Sequence, residues 1–285
     1  MSDGPSYPLG VVLMLWGADL AAATPALLAA VRAMGYDSIE LPLFGTADGD
    51  LHELGRRIAG EGLRCSANTA LPASYSLCDA SRHAPTVAFL QRMAAQARSL
   101  GSSVLCGPLL TPVGELPARP PGAREREEAV RGLAAAAHAA AGEGVALALE
   151  PLNRFESAFP NTVADAVALV DATGQPNLGL LLDTFHMNIE ERSLPEAIRL
   201  AGPRLHHFHC SENDRGPVGS GHIPWPEVRR ALDDAGYRGS LVVESFGTTI
   251  PAIARACCTW RPLAPSPEAL ADASAAYLRR LFGRG

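Results

Sequence analysis

The stretch VALALEPLNRFES (Val145–Ser157) changes character at Glu150. Val145–Leu149 is small, apolar and uncharged, as a buried strand would be. Glu150, Pro151, Asn153, Arg154 and Glu156 follow without a transition. A strand of a parallel sheet is covered on both faces, so its charge collects where it leaves the sheet. Glu150 therefore reads as the point at which a buried strand reaches an open edge.

Seven further apolar runs repeat the pattern: GVVLMLW (10–16), SIEL (38–41), LRCSAN (63–68), SVLCG (103–107), LGLLLD (178–183), LHHFH (205–209) and SLVVE (240–244). Between them lie amphipathic, Ala- and Arg-rich segments near 24–34, 50–61, 84–100, 122–142, 162–172, 194–201, 225–235 and 266–282, several closing on a glycine such as Gly35, Gly62, Gly101, Gly144 or Gly236. Short buried strands alternating with helices give parallel βα units. Eight of them in 285 residues predict a single-domain α/β (β/α)8 TIM barrel over residues 1–285. An open doubly wound sheet is disfavoured, because no G-x-G-x-x-G follows the first strand and no break in composition marks a second domain. The Pro-rich segment 111–122 reads as a long loop within one βα unit.

Composition narrows the chemistry. Hydrophobic residues make up 47% of the chain, enough for a large core, and the net charge of −6 leaves no footprint for nucleic acid. All 24 basic residues are arginine. Without lysine there is no Schiff-base or P-loop chemistry. The six cysteines form no C-x-x-C pair and read as reduced thiols. MSDGPSYPLG lacks the basic-then-apolar form of a signal peptide, and no apolar run is long enough for a membrane span, so the expected location is the cytoplasm.

In a (β/α)8 barrel the active site lies at the carboxyl ends of the strands. Strands five to eight end on Glu150, Asp183, His209 and Glu244. One strand-end carboxylate is most simply a helix cap or a solvated loop residue. Three converging on one rim would repel each other unless a cation joined them. Three oxygen donors and one imidazole suit Mn²⁺, Mg²⁺ or Co²⁺ better than a structural zinc. The following loops add Asn153, Arg154 and Glu156, then His186, then Glu212, Asn213 and Arg215, as expected substrate contacts. Strand alternation places His207 inward one layer below His209 and His206 outward, both as hydrogen-bonded structural residues.

ALEPLNRFE, LLDTFHMNIEE, HHFHCSENDRGPVGSGHIPW, YRGSLVVESF and TWRP (259–262) resemble the ketose 3-epimerases of the D-tagatose/D-allulose (psicose) type, within the xylose-isomerase-like barrel superfamily. The resemblance runs in order through the second half and more loosely through the first. It implies one divalent metal, Mn²⁺ foremost, held by Glu150, Asp183, His209 and Glu244. Glu150 and Glu244 would be the acid/base pair, and Glu156, His186 and Arg215 would bind a free ketose around C1–C3. It also implies a homodimer or homotetramer. The implied reaction is C3 epimerisation through an enediolate, which needs acid/base groups on opposite faces of the carbon. Hydroxypyruvate isomerase and inosose dehydratase are the alternatives on the same rim. A histidine-rich apurinic-site nuclease and a non-catalytic sugar or metal binder fit less well. The family often carries aromatic residues in strand one and after strand four, where this chain has Val12–Leu15 and LLTPVGEL (109–116), so which ketose it prefers stays open.

Overall fold

The protein is described by a computed structural model covering residues 7–45, 49–248 and 250–283. Residues 1–6, most of the segment read for a signal peptide, lie outside the described residues. Eight parallel strands close into one barrel in sequence order: β1 (Leu9–Val12), β2 (Ser38–Pro42), β3 (Arg64–Asn68), β4 (Val104–Gly107), β5 (Ala146–Leu149), β6 (Leu178–Asp183), β7 (Leu205–Cys210) and β8 (Leu241–Val243). The ring is sealed by β1 against β8, with Leu9 opposite Leu241. Helices follow every strand: α1 (Pro25–Ala33), α2 (Leu51–Gly60), α3 (His83–Ser99), α4 (Ala123–Gly142), α5 (Val163–Thr173), α6 (Thr184–Glu190), α7 (Leu194–Ala201), α8 (Trp225–Asp234), α9 (Pro251–Ala256) and α10 (Pro267–Leu281). The five glycines named above all have φ between 70° and 87°, the left-handed region that closes a helix. Among the described residues no helix is long and apolar enough to cross a membrane.

Two elements differ from the sequence reading. The first strand stops at Val12, and Leu13–Leu15 turn into a short 3-10 segment. Val11 pairs with Val243, the last residue of β8, so beyond it β1 has no ladder on that side. The segment after β6, read as a loop, contains a short helix, α6.

Side-chain parity builds the site. Leu147, Leu149, Leu180, Leu182 and Phe208 face outward and join the helices in the main core, with Leu28 and Val31 of α1, Leu90 and Met93 of α3 and Val228 of α8. Ala148 and Leu181 face into the barrel. Two residues further along, the same inward parity belongs to Glu150 and Asp183. It belongs likewise to His209 after His207 and to Glu244 after Val242.

Candidate metal centre and sugar pocket

The structure brings Glu150, Asp183, His209 and Glu244 together: one ligand atom from each lies within 4.8 Å of all the others, and all four residues are buried. Asp183 divides its carboxylate. Oδ1 caps α6 by accepting the Phe185 amide at 2.7 Å, and Oδ2 accepts from Arg215 Nη1 at 2.7 Å and from Ser211 Oγ at 3.2 Å. The cap and the site residue are therefore one side chain.

The donor set fits a divalent cation. His209 Nε2 lies 2.9 Å from Glu40 Oε1 and gives its proton there, so Nδ1 is the nitrogen left to take either a second proton or a cation. Nδ1 sits 3.2 Å from Glu244 Oε1, yet it is buried with no hydrogen-bond partner. This nitrogen facing a carboxylate oxygen calls for a positive charge between them, a proton on Nδ1 when no metal is bound and a cation otherwise. The electrostatics state the same demand. Burial, then the charges of Glu244 and Asp183, pushes the Glu150 carboxyl well above its ordinary range. Burial also opposes charge on His209, but Glu244 and Glu40 overcome it and hold that ring's pKa well up.

Arg215 supplies one positive charge. Its buried guanidinium reaches Asp183 Oδ2, Ser211 Oγ at 2.8 Å and Glu244 Oε2 at 2.6 Å. Phe185 and Phe246 flank it, with ring centroids 4.1 and 5.1 Å from Cζ. Its backbone is left-handed, with φ 63°, a strained conformation for a long side chain and one that clusters at functional sites. Arg215 was expected to serve as a substrate contact. In addition it is ion-paired to two of the three clustered acids.

His186, on α6, has its tautomer set from behind. Nδ1 accepts the Asn153 backbone N–H at 3.2 Å and lies 2.9 Å from Asn153 Nδ2, so Nε2 carries the proton. Burial presses its pKa down to about 3, so the ring is a neutral donor. Asn153 Nδ2 also donates to Glu156 Oε1 at 2.8 Å, and burial raises the Glu156 carboxyl. Glu150, Glu156, His186, His209, Arg215 and Glu244 all line a cavity of about 350 Å³ at the mouth of the barrel. Its remaining wall is largely apolar and includes Met14, Phe44, Val113, Leu152, Phe246 and Ile253. Gly107 keeps the wall open at the end of β4: at φ 128°, an added Cβ would lie 2.2 Å from the Thr69 carbonyl oxygen.

Three of the loop residues expected at the substrate lie elsewhere. Arg154 turns outward and pairs with Glu190 through Nε and Nη2, at 2.9 and 2.8 Å. Glu212 is fully buried and organises its own loop, accepting from Gly219 N at 2.8 Å, Trp225 Nε1 at 2.9 Å and Ile223 N at 3.1 Å. Asn213 accepts the His222 amide within the same loop.

The residue that sequence reasoning missed is Glu40, at the centre of β2. It is fully buried and accepts five hydrogen bonds: Asn68 Nδ2 (2.8 Å) and His209 Nε2 on Oε1, and Ser66 Oγ (2.9 Å), His207 Nε2 (2.6 Å) and, more weakly, Cys106 Sγ (3.7 Å) on Oε2. Burial disfavours its charge, but His209 and His207 outweigh that and hold it well below the usual carboxylate range. Glu40, Cys106, His207 and His209 also bring ligand atoms within 4.8 Å of one another. That set is already saturated by its own hydrogen bonds, and burial keeps the Cys106 thiol protonated, so it reads as a hub beneath the open centre. The signal was a charged residue in the middle of an otherwise apolar strand.

The family model for the xylose isomerase-like TIM barrel matches residues 28–281. The ketose 3-epimerase of Arthrobacter globiformis is 31% identical over 257 residues, covering 87% of each chain. The L-ribulose 3-epimerase of Mesorhizobium japonicum is 34% identical over 275 residues, covering 95% of this chain and 92% of that one. The chain belongs to the ketose 3-epimerases of the xylose isomerase-like TIM barrel family. It is an isomerase-class enzyme by that membership. A solved L-ribulose 3-epimerase superposes with a TM-score of 0.91 at 33% identity, covering 97% of this chain and 95% of that chain. Against that family background the buried Glu, Asp, His, Glu cluster is a centre that could hold a divalent metal.

Proposed function

We propose that the protein epimerises a free ketose at C3, with Glu150, Asp183, His209 and Glu244 holding one divalent metal, Mn²⁺ foremost. The observation that carries this reading is the clustering of those four side chains, three of which line a sugar-sized cavity, with the two glutamates on strands three apart around the ring. When bound, the metal would polarise the ketose carbonyl and offset the charge that grows on its oxygen.

The rest is done by the chain itself. One glutamate, as carboxylate, takes the C3 proton, and the C–H electron pair moves through C2–C3 onto the carbonyl oxygen to give the enediolate. The other, as carboxylic acid, gives its proton to the opposite face of C3 as the pair returns. The two glutamates then hold exchanged protonation states, ready for the reverse epimer. His186 Nε2–H and Arg215 donate to the O1–O2 end, where negative charge accumulates. Glu156, held by Asn153, accepts from a substrate hydroxyl. An assembly of two or four copies belongs to the same reading.

Turnover in D₂O tests it. Epimerisation by two bases places deuterium at C3 of the product. A Gln at Glu150 or Glu244 keeps one oxygen for the metal and removes the base, so each metal-loaded variant should lose roughly 10²–10⁴-fold in rate. Deuterium at C1 with an aldose product would instead make this an aldose–ketose isomerase.

A further inference from the structure

Two of the buried polar side-chain atoms without a partner, among the described residues, are His209 Nδ1 and Asn68 Oδ1. They share a cause. The opposite atom of each group, His209 Nε2 or Asn68 Nδ2, donates to the same oxygen, Oε1 of Glu40, at 2.9 and 2.8 Å. A carboxylate accepts only, so it admits one orientation of each neighbour: the imidazole with Nε2 protonated and the amide with its NH₂ turned toward Glu40. A flipped amide would set its carbonyl against a buried carboxylate. Glu40 therefore leaves two atoms without a protein partner: a nitrogen at the candidate metal centre, open to a cation, and the buried amide oxygen of Asn68, a residue that lines the sugar cavity.

The two atoms suit different ligands. His209 Nδ1 belongs to the acidic cluster and calls for a cation. Asn68 sits at the end of β3, across the ring from β7 and away from Glu156, His186 and Arg215. The cavity wall there is mostly apolar, and the other polar side chains on it outside the acidic cluster and its loops are Thr69 and Cys257. The Thr69 hydroxyl already donates to the Leu43 carbonyl at 2.5 Å. A buried carbonyl oxygen without a donor is costly, and a ligand hydroxyl would satisfy it.

We propose that Asn68 Oδ1 accepts a hydrogen bond from a substrate hydroxyl beyond C3, and that Glu40 is the positioning residue that orients both Asn68 and His209. The proposal deepens the ketose reading and rests on it. Glu40 touches neither the sugar nor the metal; it acts through the two side chains it orients.

The experiment pairs residue deletion with hydroxyl deletion. Wild type and Asn68→Leu are assayed on one accepted ketose and on its 4-, 5- and 6-deoxy analogues, with Mn²⁺ affinity titrated separately by calorimetry. In the wild type one analogue should lose roughly 2–10-fold in kcat/KM, mostly through KM, because the contact lies away from the reacting carbon. In Asn68→Leu the parent ketose should fall to the level of that analogue, with Mn²⁺ affinity unchanged. Equal losses on all four sugars, or none, overturn the role of Asn68. Glu40→Gln offers one acceptor oxygen where two are needed, so Mn²⁺ affinity should fall roughly 10–100-fold and the hydroxyl discrimination should shrink in the same variant. A folded Glu40→Gln with wild-type Mn²⁺ affinity overturns the role of Glu40. Should that variant not fold, Glu40→Asp, which keeps the charge but shortens the reach, is read in the same two ways. A wild type that turns over no ketose removes the Asn68 contact together with the ketose reading, whereas an active wild type with unchanged discrimination removes the contact alone.

Discussion

Replacing Arg215 by methionine should expose how the acidic cluster is balanced. The substitution keeps length and apolar bulk between Phe185 and Phe246 but removes the charge. In the metal-free protein the guanidinium bonds Asp183 Oδ2 at 2.7 Å and Glu244 Oε2 at 2.6 Å, all three groups being buried. Breaking a buried ion pair from one side costs about 3–5 kcal/mol, because the remaining charge is left without compensation. At roughly 2–4 °C per kcal/mol for a domain of this size or somewhat smaller, the chelator-treated variant should melt on the order of 6–20 °C below the chelator-treated wild type. Saturating Mn²⁺ supplies a cation to the same carboxylates, so the gap should narrow, with the variant gaining more from metal than the wild type. Paired thermal melts in chelator and in Mn²⁺ measure both quantities. An Arg215→Met protein that melts with the wild type in chelator would show that the ion pairs carry no net stability. A gap that stays constant on adding Mn²⁺ would show that metal and guanidinium do not answer to the same carboxylates. Either result refutes the reasoning.

Metal uptake should release protons. Glu150 and His209 have pKa values raised in the metal-free protein, so each holds a proton above its ordinary range, and a cation must displace it. Affinity should therefore rise with pH until the raised values are passed; calorimetry in buffers of different ionisation heat counts the protons, and a pH-independent affinity between about 5.5 and 8 would sink the argument. For stability without metal the sign for Glu150 is the opposite. Its folded pKa lies above the unfolded one, so its contribution is fully present below about 4.5 and is lost as pH rises through the folded value. His186 runs the other way. Its value of about 3 in the folded state means that it costs stability as pH falls from about 6.5 toward 3, and removal of that slope in His186→Asn, seen in urea melts across pH, checks it. Glu212→Ala should destabilise by at least about 2 kcal/mol in urea melts, since the Gly219, Ile223 and Trp225 donors lose a shared acceptor; it should also raise KM, because the same loop mounts Arg215, whose amide donates to the Glu212 carbonyl at 2.9 Å. Wild-type stability and KM in that variant would mean the loop is held by other contacts.

The rim of the barrel was legible in the sequence because two periodicities coincide there. Parity along a strand says which residues face inward, and the end of an apolar run says how far up the barrel they sit. Glu150, Asp183, His209 and Glu244 satisfy both tests from one-dimensional information alone, and so does His207 one layer below. Glu40 satisfies the parity test and still could not be read, because its meaning depends on depth relative to other strands. It meets His209 across 169 residues and Asn68 across 28, and only the ladder register, in which Glu40 pairs with Ser66 and Pro42 with Asn68, brings those side chains to one level. Glu212 failed for a related reason: a carboxylate beside proposed ligands looks like a substrate contact until the loop is seen to wrap its amides around it. The Asp183 cap and Arg215 show the limit from the other side. Weighing a helix cap against a site residue assumes that one side chain does one thing, but a carboxylate has two oxygens. Asp183 spends Oδ1 on α6 and Oδ2 on the cluster, while Arg215 spends its charge on the acids and its flanks on two aromatic rings. Where buried polar groups are few and all must be satisfied, each is shared between holding the fold and building the site. That sharing follows from the cost of burying an unpaired polar atom. Spacing along the chain cannot reveal it, because it is a property of the atoms around each residue.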